Sequence, residues 1–203
     1  MSQKILTIMI PTTTDRRELF IRLFHELLNQ ISNYPNGEEL IEIIHDEDNK
    51  EKSVGLKRQH LLEKANGVFV VGFDSDDFPA PTYIQDIMDA IMMNLWDDDF
   101  DHVGFLEDCT INGEKSLSIF SIRHLNWDEN KDGYDHIRCA NPKSVIRREK
   151  ALMVGFPDMR FGEDRVFSEA VTPLLKKEIF INKPLYNYIH VSSPHNERYG
   201  IKD

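Results

Sequence analysis

The chain has 203 residues, 40% of them hydrophobic and 29% charged, with a formal net charge of −11. That length and balance suit one soluble domain with a full core. The acidic excess argues against an extended, non-specific grip on nucleic acid or anionic lipid, because such a grip rests on Lys and Arg.

The opening, "MSQKILTIMIPTTTDRR", carries an apolar run broken at Pro11. The run is too short for a membrane span, and no small-residue cleavage site follows it. "KILTIMIP" reads as a buried, β-branched strand ended by proline. "TTTDRRELFIRLFHELLNQI" reads as a helix, with Thr14 or Asp15 as its cap and Leu19, Leu23, Leu27 and Ile31 at helical spacing. "NYPNGEE" is a turn, and "LIEIIHDEDN" a second strand that stops in acids. "KSVGLKRQHLLEKANG" is a second helix closed by Gly67. "VFVVGFD" is a third strand, and "PTYIQDIMDAIMMNLW" a third helix with Pro81 in its first turn. Strands alternating with helices at this spacing predict βαβ units, hence an α/β fold with a mainly parallel central sheet flanked by helices.

Past residue 100 the pattern changes. "DHVGFLEDCTING" and "KSLSIFSIRHL" read as strands joined through "INGEK". "WDENKDGYDHIRCANP" is polar and reads as a long irregular loop. "KSVIRREKALMVGF" returns to strand and helix, "GEDRVFSEAVTPLL" to helix, and "KEIFINKPLYNYIHV" to strand before a polar tail. No repeat or linker interrupts the chain, so one domain over 1–203 is expected, with halves at about 1–100 and 101–203. Cys109 and Cys139 are too few for a disulfide framework and read as free thiols. A cytoplasmic protein without a transmembrane segment is expected.

The chemistry concentrates in "VVGFDSDDFPAPTYI". An apolar strand ends in Asp74, Asp76 and Asp77, with Ser75 between the first two, and a helix follows. In an open parallel sheet, ligands bind beyond the carboxyl ends of the strands. The first three strands end in Pro11-Thr12, His45-Asp46 and Asp74-Ser75-Asp76, so all three face one crevice. Crowded oxygen ligands suit hard divalent cations, Mg²⁺ or Mn²⁺, which share their coordination with substrate phosphates. A second acid run, "WDDDFD" at 96–101, follows a helix and reads as a solvated turn. Arg138, Lys143, Arg147 and Arg148 form a local basic concentration, with Arg147-Arg148 read as a surface pair at a helix start. Trp127 and Tyr134 stand in the polar loop as stacking or anchoring aromatics.

Four stretches in order, "ILTIMIPTTTDRRELFIRLFHELL", "IEIIHDEDN", "SVGLKRQHLLEKANGVFVVGFDSDD" and "GFPDMRFGEDRVFSEAV", resemble the family 2 glycosyltransferases of the GT-A fold. The resemblance spans roughly residues 4–190. It implies a metal-dependent, inverting transfer of a sugar from a nucleotide-diphospho-sugar, usually UDP-linked, to an acceptor hydroxyl. Pro11 and Thr12 would line the donor site, and Asp46 would meet the base. Arg58, with Lys57 as the competing candidate, would be the helix cation near the nucleotide. Asp74 and Ser75 belong to the Asp-x-Asp segment, where Asp74 would contact ribose or metal. Asp76 would coordinate Mn²⁺ or Mg²⁺ directly, with His190 completing the site and His195 a weaker candidate. Asp164 of "GED" matches the general base, and Glu163 beside it could instead orient the acceptor. The family's aromatic-Asn pair after the first strand and its Gln-x-x-Arg-Trp motif are absent.

The acceptor is open: a saccharide, a lipid-linked sugar, a protein hydroxyl or a modified nucleobase in DNA all present an oxygen nucleophile. Two other functions compete. One is a nucleotidyltransferase of sugar-nucleotide synthesis, though "PTTTDRR" lacks the Gly-rich phosphate loop of that class. The other is a non-catalytic α/β module that binds a nucleotide or cation.

Overall fold

The computed structural model describes residues 3–190, with the His190 side chain outside the description. Three strands build the first half: β1 (Leu6–Thr13), β2 (Ile41–Asp48) and β3 (Phe69–Gly72). They run parallel in the order β2-β1-β3, with Pro11 opposite Asp46 and Met9 opposite Gly72. Each strand end therefore opens on the same edge. The crossovers are α1 (Arg17–Asn33) and α3 (Val54–Lys64), with a four-residue turn of helix, α2 (Gly37–Leu40), inside the predicted turn. The chain then runs through β4 (Phe78–Pro79) into α4 (Tyr83–Asn94).

The second half extends the same sheet. Its elements are β5 (Phe100–Ile111), β6 (Glu114–Phe120), β7 (Asp128–Lys131), β8 (Tyr134–Arg138), β9 (Val145–Arg147), α5 (Arg148–Val154), α6 (Glu163–Val171) and β10 (Lys177–His190). The sheet order continues β3-β9-β5-β6-β8-β7, and β10 pairs with β5 and β4. The longest ladders, β1–β2 and β10–β5, are parallel; β9 runs antiparallel between β3 and β5.

Helices cover both faces. Leu23, Leu27, Tyr83, Ile87 and Phe105 share one buried layer under α1 and α4. Leu61, Leu62, Ala151 and Phe167 share the other, under α3, α5 and α6. No helix among the described residues is long and apolar enough to cross a membrane. Cys109 and Cys139 are free and buried.

Four local readings change. The polar stretch after Trp127 is a hairpin, not an irregular loop. Asp132 and Gly133 both take positive φ between β7 and β8, the conformation a two-residue hairpin turn needs. Asn112-Gly113 does the same between β5 and β6; there the apolar flanks made the strands legible, whereas all of β7 is exposed. On α1, the buried stripe is Phe20, Leu23, Leu27 and Ile31, while Leu19 faces outward. The helix begins at Arg17, after a 3-10 turn at Thr14–Arg16 that carries no side-chain cap. Pro81 precedes α4, whose N-cap is Thr82.

Candidate active site

A cleft of about 290 Å³ lies at the carboxyl ends of β1 and β3, lined by Pro11, Thr12, Asp74 and Ser75 together with Arg16, Lys50, Lys52, Lys57, Arg160 and Phe161. Thr12 and Ser75 are buried there, and neither hydroxyl has a hydrogen-bond partner in the protein. A buried hydroxyl without a partner is costly. Two of them on one cleft floor leave places for a polar ligand.

The acid triplet meets its positive charge inside the protein. Arg58 donates from Nη2 to Asp74 at 2.7 Å, and its Nε lies 3.3 Å from Glu163. Arg16 donates to Asp76 at 3.0 Å. Lys143 reaches Glu107 at 3.2 Å, Asp77 at 3.4 Å and Asp74 at 3.8 Å, with its ammonium over the Tyr186 and Tyr188 rings. The Tyr186 hydroxyl donates to Asp77 at 2.6 Å and accepts the Asp74 N–H at 3.0 Å. Glycine at 72 lets this assembly close. Its N–H bonds Pro142 O at 2.6 Å, and a Cβ there would sit 3.0 Å from the Arg58 guanidinium.

These neighbours set each carboxyl apart. Burial would raise Asp74, but the charges of Arg58, Lys143 and Arg16 hold it below the usual range. Burial and the Asp74 charge push Asp76 up against the pull of Arg16. Asp77 is pushed up to about 7, chiefly by burial, with Lys143 opposing and the Asp74 charge adding. For Lys143, burial alone would lower the ammonium's pKa, yet Glu107, Asp77 and Asp74 carry it above the ordinary lysine value.

A carboxyl raised on folding binds its proton more tightly in the folded state. Asp77 therefore costs stability as pH climbs from its ordinary value of 3.8 toward about 7. We expect metal-free Asp77→Asn protein to lose less melting temperature than wild type between those limits. Parallel thermal melts across that range check it, and identical pH slopes would refute the assignment.

The segment leading into α6 is fastened to the region between β2 and α3. Ser53 caps α3 by accepting the Leu56 N–H at 3.0 Å and donates to Asp158 at 2.5 Å. Gly55 donates to Met159 O at 3.1 Å, and a Cβ at 55 would lie 1.9 Å from Pro157 O, so no side chain fits. Arg160 donates to the carbonyls of Lys50 and Glu51 at 3.2 and 3.3 Å. These ties set the entry to α6. There, Glu163 is buried against Arg58, and burial pushes its carboxyl up. Asp164, half-buried, accepts the Arg165 N–H at 2.8 Å, and its charge reaches both Arg58 and Glu163.

The other expected site residues fall as follows. Lys57 is buried, pairs with Asp48 and donates to Thr12 O at 2.5 Å. Arg58 is the cation that bridges Asp74 and Glu163. Asp46 is bound through both oxygens by Lys52, at 2.5 and 2.8 Å, and lies 3.5 Å from His60. The His190 side chain and His195 lie outside the described residues. Among the described residues, no three His, Cys, Asp or Glu side chains converge on one metal position.

Arg147 is not a free surface cation: it holds Asp101 at 3.1 Å and the Phe100 carbonyl. Asp97 and Asp99 of the 96–101 run pair with Lys177 and Lys176. The Arg138 guanidinium lies over Trp127, 4.5 Å from the indole ring centroid.

Sequence reading missed Arg16, Lys50, Lys52, Arg160 and Phe161, whose cleft positions come from a short 3-10 turn and from loops with no spacing signature. It also missed the tyrosines behind the triplet. The sole hint was the unusual count of acids, which implied counter-charges without saying whose.

The fold is of the GT-A type. The solved structure of S. aureus TarS 1–349 superposes with a TM-score of 0.63 at 15% identity, covering 91% of this chain and 60% of that one. TarS 1–349 in complex with UDP gives 0.61 at 17% identity, over 97% and 63%. The complex with UDP-GlcNAc gives 0.57 at 15%, over 95% and 60%. At such identities the likeness establishes the fold, and the chain spans about 60% of the length of the TarS structure it matches. No protein-family model and no curated protein matches the sequence.

Proposed function

We propose that this chain is a metal-dependent, inverting glycosyltransferase that takes a sugar from a nucleotide-diphospho-sugar, of the UDP class, to an acceptor hydroxyl. One observation carries the reading. Arg58 ties Asp74, on the cleft wall at the end of β3, to Glu163, at the start of α6, so donor-side and acceptor-side acids share one buried cation. The UDP and UDP-GlcNAc complexes of TarS, on the same fold, support the donor class.

Asp164 takes the proton of the acceptor hydroxyl as that oxygen attacks the anomeric carbon. The bond from that carbon to the diphosphate oxygen breaks, and its electron pair leaves with the nucleoside diphosphate. A single displacement inverts the centre. Thr12 and Ser75 offer their unpartnered hydroxyls to the donor, and Arg16 and Lys50 line the path of its phosphates. The residues fit a cation shared with substrate better than an all-protein cage: Asp76, raised by burial and by its neighbour's charge, with Asp74 beside it. Bound there, Mn²⁺ or Mg²⁺ would offset the charge of the departing diphosphate.

The internal pairing of the acid triplet favours one alternative, a module that binds nucleotide without turnover. Calorimetry with a panel of UDP-sugars, with and without Mn²⁺, followed by a donor-hydrolysis assay, separates the two. We expect Mn²⁺-dependent hydrolysis that Asp76→Ala abolishes. Binding without turnover, unaltered in Asp164→Asn, supports the module.

A further inference from the structure

We propose that Arg16 is an exchangeable counter-ion of the donor cleft, paired with Asp76 in the arrangement described here and transferred to the donor's diphosphate when a divalent cation takes Asp76. The inference rests on the nucleotide-sugar reading above and adds to it an exchange of Arg16 between Asp76 and the donor.

Three cations serve the acid triplet, and they are not alike. The side chains of Arg58 and Lys143 are 7% and 14% exposed, locked in networks of several carboxylates. Arg16 is 51% exposed and, among the described residues, pairs with one carboxylate, Asp76, through Nη1. It also lines the cleft, as its two neighbours in charge, Arg58 and Lys143, do not.

Arg16 sits on an exposed turn. It ends the 3-10 turn Thr14–Arg16, which buries no residue and has no side-chain cap. A second exposed pair, Asp15 with Lys50 at 2.7 Å, holds the same turn across the cleft mouth. Water weakens exposed pairs of this kind, so a multiply charged phosphate group competes well for the guanidinium, whose fork matches phosphate oxygens.

Of the other cleft cations, Lys50 shares the exposed pair with Asp15, and the remaining three are committed. Lys52 holds both oxygens of Asp46, Lys57 holds Asp48 and the Thr12 carbonyl, and Arg160 holds two backbone carbonyls. If Arg16 leaves, Asp76 is left beside the Asp74 charge, and an incoming cation restores the balance. Metal and arginine therefore compete for one carboxylate, while metal and donor recruit each other.

The test is calorimetric. Mn²⁺ alone, and then UDP in the presence of Mn²⁺, are titrated into wild type, Arg16→Ala and Arg16→Lys, with thermal melts confirming the fold. Removing the competitor should tighten Mn²⁺ alone about two- to fivefold in Arg16→Ala. The same variant should bind UDP about tenfold more weakly, the effect of one lost charge-assisted phosphate contact. Arg16→Lys should fall between. These opposite signs are what a merely structural residue would not produce. Wild type that binds UDP while Arg16→Ala leaves both affinities unchanged, or weakens Mn²⁺ alone, overturns this proposal by itself. Wild type that binds no UDP with or without Mn²⁺ overturns the donor reading and this proposal together.

Discussion

Replacing Asp164 by Asn is expected to lower the rate of sugar transfer by roughly 10²–10⁴-fold, the span that a positioned general base contributes. UDP binding should stay within about twofold, because the residue lies at the start of α6 and not on the cleft lining. The substitution preserves shape and the acceptance of the Arg165 N–H through the amide oxygen, so the fold should survive. Glu163→Gln provides the contrast. Its carboxylate is buried on Arg58 and already engaged, so its loss should disturb stability and Asp74 orientation before it touches proton transfer. A rate that is unchanged in Asp164→Asn and abolished in Glu163→Gln would reverse the two roles.

Arg58→Met should be the most destabilising of these substitutions. The guanidinium is buried and serves Asp74 and Glu163. Breaking a buried pair by removing one partner typically costs about 3–5 kcal/mol, since the charge left behind has no water. For a chain of this size that corresponds to a fall of roughly 10 °C in melting temperature. The deficit should shrink in acid. Without Arg58 both carboxyls titrate higher in the folded state, so protonating them on lowering the pH relieves the repulsion. Arg58→Lys should recover only part, because a lysine ammonium does not reproduce the planar fork. Melts at acidic and neutral pH check both statements, and a variant as stable as wild type would show the bridge to be inessential.

The two halves were legible to different degrees for a physical reason. In β1, α3 and β3 the local pattern and the global role agree. Apolar runs become buried strands, Ser53 caps α3, and Asp74 follows the end of β3. The hairpin of β7 and β8 was hidden because exposed polar strands have no alternation to read, although its Asp-Gly turn was in plain sight. Arg147 shows the opposite failure: as a residue in a basic pair it read as surface, yet Asp101 and the Phe100 carbonyl hold it at the end of β9, an interior strand of the sheet.

The chain's order of residues alone determined that three strands would end in polar residues on one edge, that an acid triplet would stand there, and that a Glu-Asp pair would open a later helix. Periodicity and strand polarity act over a few residues, so they survive in one dimension. Only the tertiary structure decided which charges those acids meet. Arg16, Arg58 and Lys143 lie 60, 16 and 66–69 residues away from their partners in the triplet. Coulombic pairing depends on distance in space and on burial, and neither quantity is written in sequence separation.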